Sequence, residues 1–226
     1  MNILAMDTSC DVLSLALSSP LGTQCIEIDS GPRHSELLME WIDKLLASME
    51  LNSEDLELIA CMKGPGSFTG LRIGFAAAKG LSMALGIPFI TIPSLDCMAH
   101  TFSFWPDLVL PVIDAKKNCF FAALYREGKR ISDYLDIDSL ALYNALDTYK
   151  INPEEKVLIS GPGAELFLSR LENRGNVFFL DPLFSRGRSL ELLQIIKKSY
   201  IIGKNEDVNS GPLYIRKSDA EINKTE

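Results

Sequence analysis

Apolar positions along this chain fall into two rhythms, alternation or short solid runs in some places and helical spacing in others. Ile3 to Asp7 is an apolar run ending in aspartate; after a small polar turn, Val12 to Leu17 reads as a second strand. Leu21-Gly22 marks a turn, and Gln24 to Asp29 forms a third strand. From Ser35 to Met49, the positions Leu37, Leu38, Trp41, Ile42, Leu45, Leu46 and Met49 make a wide apolar stripe at helical spacing. Asn52-Ser53-Glu54-Asp55 breaks that helix, and Leu56 to Met62 is strand-like. Leu71 to Leu85 is a helix apolar on nearly every side, with only Arg72, Lys79 and Ser82 polar; Gly86-Ile87-Pro88 stops it. Thr91 to Ser94 is a strand end, and Leu95 to Phe102 begins another helix.

The pattern then repeats. Val109 to Asp114 is again an apolar strand ending in aspartate, followed by the turn Ala115-Lys116-Lys117-Asn118 and a strand from Cys119 to Tyr125. Asp7 matches Asp114, and Ala16-Leu17 matches Ala123-Leu124, at one constant offset. Glu127-Gly128 turns, Arg130 to Ile137 follows, and Val157 to Ser160 runs into Gly161-Pro162-Gly163 and a helix from Ala164 to Leu171. That last passage mirrors Leu56–Met62 running into Gly64-Pro65-Gly66. Each half reads as hairpin with aspartate, third strand, helical region, strand, Gly-Pro-Gly, helix. The expected division is a lobe at 1–105, a smaller eroded lobe at 106–215 and a charged tail at 216–226. A late amphipathic helix is expected from Ser189 to Ile202, with a loop over 203–210.

Composition narrows the class. At 226 residues with 47% apolar content the chain is globular, and its net charge of −8 disfavours unaided binding to a phosphate backbone. Lys116-Lys117 and Lys197-Lys198 are pairs rather than patches. Five cysteines without a C-x-x-C spacing read as small buried residues on strands in a reducing compartment. The start reaches Asp7 without a basic leader, which reads as a first strand rather than a signal peptide, and no apolar run has membrane-spanning length. The expected location is cytoplasmic, with no membrane partner.

Gly64 to Gly74 stands out as candidate chemistry, because glycines ahead of a helix free backbone amides at the positive end of its dipole. It is not a P-loop: no Gly-Lys-Ser/Thr closes the spacing. Nor is it the Gly-x-Ser-x-Gly elbow of a hydrolase, since Gly66-Ser67-Phe68-Thr69-Gly70 sets its second glycine one residue too far. Ser67 or Thr69 reads as the helix N-cap.

Two tandem copies of this unit resemble the actin-like ATPase (ASKHA, ribonuclease-H-like) superfamily, an α/β duplicated fold of two lobes, each a mixed sheet flanked by helices. That resemblance implies that Asp7 with Thr8 and Ser9, and Asp114, are candidates for nucleotide binding. ATP or ADP with magnesium would be held at low affinity or at a partner junction, with no intrinsic cofactor. The competing role for both aspartates is to accept backbone N–H bonds and fix their turns. A proline inside Gly161-Pro162-Gly163, where the superfamily contacts adenosine, counts against tight ATP binding.

Asp7-Thr8-Ser9, Arg33-His34-Ser35-Glu36-Leu37-Leu38, the Gly64–Gly74 motif, Lys79-Gly80-Leu81, Ile113-Asp114-Ala115 and Pro212-Leu213-Tyr214-Ile215-Arg216 together resemble the bacterial TsaB (YeaZ) family. The resemblance implies an accessory subunit of tRNA threonylcarbamoyladenosine synthesis. It would bind and stabilise a catalytic TsaD-like paralogue, with a TsaE-like ATPase in the same complex and tRNA contacted only through it. The catalytic paralogues hold a metal with His-x-x-x-His on the first helix. Here His34 matches the first, but Leu38 stands at the second, so neither a metal nor catalytic residues are expected. His34 is read as a helix-start residue with a local hydrogen bond. The alternative readings are a stand-alone ATPase or phosphotransferase, decided by ATP turnover, and a peptidase, which lacks a triad or metal set.

The all-round apolar helix needs cover. Leu38, Trp41, Ile42, Leu45, Leu71, Phe75 and Ala78 are expected to form a face that pairs with the paralogue, or with a second copy when the chain is alone. The competing expectation is that the same helix is an intramolecular core element.

Overall fold

The computed structural model describes residues 1–171, 177–200, 205–207 and 209–216. In chain order the first elements are β1 (Ile3–Asp7), β2 (Val12–Ser19), β3 (Gly22–Asp29), α1 (His34–Ser48), β4 (Leu58–Gly64), α2 (Phe68–Leu85), β5 (Phe89–Pro93) and α3 (Ser94–His100). There follow β6 (Leu108–Asp114), β7 (Cys119–Ala122), β8 (Tyr125–Arg126), β9 (Lys129–Arg130), β10 (Leu135–Asp138) and α4 (Ser139–Tyr149). The last are β11 (Val157–Ser160), α5 (Ala164–Ser169), β12 (Phe178–Leu180) and α6 (Ser189–Ser199). Two compact units result, one of Met1–Thr101 with Ser185–Pro212, the other of Phe102–Phe184 with the chain from Leu213.

The first unit is a five-stranded sheet in the order β3-β2-β1-β4-β5. β1 is antiparallel to β2 and parallel to β4, and β4 is parallel to β5. A central strand covered on both faces needs apolar residues at every position, and all of Ile3, Leu4, Ala5 and Met6 are buried. Leu4 and Met6 join α1 and α2 in one cluster with Leu38, Ile42, Leu45 and Phe75. Ile3 and Ala5 point the other way, into a cluster with Cys97 of α3 and Leu192, Leu193 and Ile196 of α6. α2 starts where the Ser67 side chain accepts the Gly70 amide, and stops at Gly86, whose φ of +66° suits glycine.

The second unit repeats the plan, with strand order β10-β7-β6-β11-β12 and the β8–β9 hairpin paired onto β6. Its core gathers Leu110, Val112, Phe120, Ala122, Leu142, Ile159 and Phe167. Phe120 and Phe167 meet edge to face at 5.6 Å between centroids. α4 begins because the Asp138 carboxylate accepts the amides of Leu140 and Ala141.

Four expectations change. The late helix sits against the first sheet, so Ser185–Pro212 belongs to the first unit and the expected 105/106 division is incomplete. The constant offset slips: Ala5 faces Ala16, whereas the equivalent Val112 faces Ala122, because pairing closes one residue sooner in the second hairpin, Asp7 facing Ser14 but Asp114 facing Phe120. The strand expected over Cys119–Tyr125 ends at Ala122 and resumes as β8. Of the cysteines, only Cys61 and Cys97 are buried, Cys25 is exposed, and Cys97 lies on a helix. The final residues of the late-helix expectation (201–202), part of the expected loop (203–204 and 208) and the tail over 217–226 lie outside the described residues.

Candidate functional site

The first hairpin turn and the glycine motif are pressed together. A Cβ on Gly66 would lie 2.5 Å from the Ser9 carbonyl oxygen, and one on Gly70 or Gly74 would overlap the Thr8 carbonyl oxygen or hydroxyl. Across the contact, the Thr8 hydroxyl donates to the Gly70 carbonyl at 2.8 Å, and the Ser67 amide donates to the Ser9 carbonyl at 2.8 Å. The glycines are there because the β1 turn occupies the space a side chain would need. An amide that would serve a phosphate in a P-loop is already committed to Ser9.

Asp7 lies at the centre of this arrangement and is only 1% exposed. Its Oδ1 accepts the Ser9 amide at 2.8 Å and the Ser9 hydroxyl at 2.6 Å, and its Oδ2 accepts the Arg188 amide at 2.9 Å. Both oxygens are used within the unit. Arg188 and Gly187 escape a reading of the sequence, since they lie 181 and 180 residues from Asp7 in a loop before α6. The signal is Gly-Arg-Ser: Gly187 packs onto Ser14, and the Ser189 and Ser14 hydroxyls share a 2.6 Å bond.

Asp114 is held differently. Its Oδ1 accepts the Lys116 amide and its Oδ2 the Lys116 ammonium, each at 2.8 Å. Burial pushes its carboxyl up, but the hydrogen bonds and charge of Lys116 outweigh that and set it below the ordinary carboxylate range. Lys116, Lys117 and Asn118 all carry positive φ, between 52° and 62°. Gly163 packs against this turn, where a Cβ would lie 2.7 Å from the Asp114 amide nitrogen. The Gly161-Pro162-Gly163 stretch therefore supports the β6 end as Gly66–Gly74 supports the β1 end.

The expected pairing face needs correction. Leu38, Ile42, Leu45, Leu71, Phe75 and Ala78 are buried in the first unit's own core, none more than 4% exposed. They cover the sheet, and only Trp41 of the expected set remains half-buried. The exposed remainder of the two helices carries Met39 and Lys44 on α1 and Ala76, Gly80, Met83 and Ala84 on α2. A Cβ on Gly80 would meet nothing within 4 Å.

His34 also departs from expectation. It is 4% exposed and its Nε2 is buried with no hydrogen-bond partner. Leu38, where a second imidazole would complete a metal pair, is a core residue. With leucine in place of the second imidazole the donor set does not fit a His-x-x-x-His metal; among the described residues no three His, Cys, Asp or Glu side chains come together. No described helix is long and apolar enough to cross a membrane. At the chain's end, Arg216 donates to Asp136 through Nε at 2.7 Å and to the Ala115 carbonyl at 3.0 Å.

Two tandem mixed sheets, of five and seven strands, each with an aspartate turn braced by a glycine loop, define a protein of the actin-like ATPase fold class. A structure of that fold from Bacteroides thetaiotaomicron superposes with a TM-score of 0.52 at 8% identity, covering 87% of this chain and 95% of that one. The YeaZ structure from Pseudomonas aeruginosa superposes at 0.74, with 20% identity over 95% of this chain and 99% of that one. The family model for TsaD, tRNA N6-adenosine threonylcarbamoyltransferase, matches residues 29–179, and the chain belongs to that family on its TsaB (YeaZ) branch. The Bacillus subtilis tRNA threonylcarbamoyladenosine biosynthesis protein TsaB is 35% identical over 128 residues, 56% of each chain. The match thus spans about half the length of the curated relatives.

Proposed function

We propose that this chain is a non-catalytic scaffold of tRNA threonylcarbamoyladenosine synthesis that binds and stabilises a catalytic TsaD-like paralogue. A TsaE-like ATPase would join the same complex, tRNA would be reached only through it, and the chain alone would pair with a second copy. The observation that carries the non-catalytic reading is Asp7. The carboxylate that the fold class would turn toward a nucleotide is buried, with both oxygens taken by Ser9 and Arg188. The core position of Leu38 supports the same reading, because His34 has no second imidazole one helical turn away. The chain carries no cofactor of its own in this reading; ATP or ADP with magnesium binds at low affinity or at the partner junction.

The scaffold face moves from the buried set to what α1 and α2 leave uncovered: Met39 and Trp41, with Ala76, Gly80, Met83 and Ala84. Met83 is 72% exposed and Met39 46%, and small residues beside them let a partner helix come close. Gly80→Glu is the clean test. A side chain fits there, and glycine-to-glutamate favours the helix by about 0.5–1 kcal/mol. A charge in the centre of a desolvated interface weakens association by roughly 2 kcal/mol or more, about 30-fold. The measurement is sedimentation of the variant with and without its TsaD-like paralogue, beside a melting curve. Unchanged affinity rejects this face. ATP turnover by the chain alone, abolished by Asp7→Ala, would replace the scaffold with a stand-alone ATPase.

A further inference from the structure

The strand paths of the two sheets end in β3, β5, β10 and β12, and three of these edges are short or covered. β12 is three residues long and β10 four. Along β5 the Glu206 amide donates to the Phe89 carbonyl and the Asn205 side-chain carbonyl accepts the Phe89 amide, each at 2.9 Å. β3 differs. It runs eight residues in unbroken register with β2, and among the described residues no strand pairs with its outer side. It contains no proline, lysine or bulge, the devices that ordinarily keep an edge from pairing. Thr23, Cys25, Glu27 and Asp29 are all exposed. The Ser30 amide donates to the Asp11 carbonyl across the hairpin, so the alternation of the ladder leaves those same four residues with backbone N–H and C=O directed outward.

We propose that β3 is an interface between two copies of this chain, joined edge to edge as antiparallel strands about a two-fold axis. A two-fold normal to the sheet sets one residue opposite its own counterpart, which leaves few registers. Centred on Cys25, it pairs the two Cys25 backbones and sets Thr23 opposite Glu27 of the second copy, a hydroxyl donor against a carboxylate, twice by symmetry. Centred on Ile26 it would make the two Glu27 side chains diagonal neighbours, and centred on Glu27 it would oppose them directly. This self-match is what favours a second copy over a foreign strand. Nor does Glu27 bring an unanswered charge, since Arg186 holds its carboxylate at 2.6 Å. α1 packs over β2, so the two α1 helices would stand three strand spacings apart, roughly 14 Å, more than the ~10–12 Å width of a helix. The pairing is the self-association of the lone chain proposed above, assigned to β3. It uses no residue of the α1–α2 scaffold face, so a failure at β3 leaves the scaffold reading standing.

The test is sedimentation of the full chain over a range of concentrations, beside a melting curve for each variant. The wild type should dimerise reversibly. Thr23 is exposed, so its variants keep the fold. Thr23→Glu sets a like charge opposite Glu27 at two symmetric places and should weaken the dimer by about 10-fold. Thr23→Lys sets opposite charges there and should tighten it by about as much. Dibromobimane, a short reagent that bridges two thiols, should link two chains through Cys25, and the link should vanish in Cys25→Ser. A chain that stays monomeric at every concentration overturns the proposal. So does a dimer that Gly80→Glu dissolves and Thr23→Glu leaves intact, which would move self-association to the helices. A dimer that Thr23→Glu and Thr23→Lys shift in the same direction, or one that yields no Cys25 link, overturns the Cys25-centred register.

Discussion

The two units use one strand order for two different turns. In the first, Asp7 is buried and tied to Ser9 and to Arg188, and three glycines of one loop and helix press against Thr8 and Ser9. In the second, Asp114 is partly exposed, answered by Lys116 of its own turn, and braced by Gly163 alone. The following helix is 18 residues long in the first unit and six in the second. Strand pairing survives duplication because it is set by backbone and by buried alternation, while each turn has been free to find its own partners. The first unit has spent its aspartate on holding three segments together; the second uses its own to shape the four-residue connection from β6 to β7.

The largest way to break this comparison is through the glycines. Gly70→Ala would drive a Cβ into the Thr8 carbonyl, backbone against backbone, and should cost more than about 3 kcal/mol in urea unfolding. Gly163→Ala meets a 2.7 Å approach to a single turn and should cost about 1–3 kcal/mol. Equal costs would mean that the two clamps are equivalent after all.

Next come the aspartates. Asp7→Asn places an amide donor among three donors in a buried site and should lower stability by about 2–3 kcal/mol, whereas Asp114→Asn should cost about 1 kcal/mol. The pH dependence separates them further. The folded pKa of Asp114 lies below its unfolded value near ~3.9. Its contribution is therefore complete above that unfolded value and is lost as pH falls through the folded one. Acid unfolding of Asp114→Asn should be shallower than wild type below pH ~4; parallel curves would remove Lys116 as the cause.

The smallest expected effect sharpens the turn itself. Lys117 sits at a φ of 52°, a region that costs an L-residue roughly 1 kcal/mol and glycine nothing. Lys117→Gly should raise stability by about 0.5–1 kcal/mol, visible as a small upward shift in melting temperature. No comparable gain is available in the first turn, where Thr8, Ser9, Cys10 and Asp11 all keep ordinary φ.

Much of this was legible in the residues. Ile3–Asp7 and Val157–Ser160 are strands with the bounds their apolar runs indicate, Ser67 caps α2, and the repeated succession of hairpin, third strand, helix, strand and helix is present in both halves. These depend on local chemistry: side-chain period, glycine and proline punctuation, a hydroxyl three residues ahead of an amide. The site was less legible. The apolar stripe of α1 and the all-round apolar surface of α2 say that cover is required, but not by what. Tertiary packing assigned Leu38, Phe75 and Ala78 to the chain's own sheet and left Ala76, Gly80 and Met83 outside.

Sequence alone determined the duplicated strand plan and the placing of an aspartate at the end of β1 and β6, because alternation and turn chemistry act between neighbours. Only the tertiary structure decided what those aspartates do. The partner that fills the second oxygen of Asp7 comes from 181 positions away, and the overlap that makes Gly70 necessary belongs to a strand end 62 positions earlier. Contacts at that separation leave no periodic trace, since a single amide or a missing Cβ has no pattern to repeat.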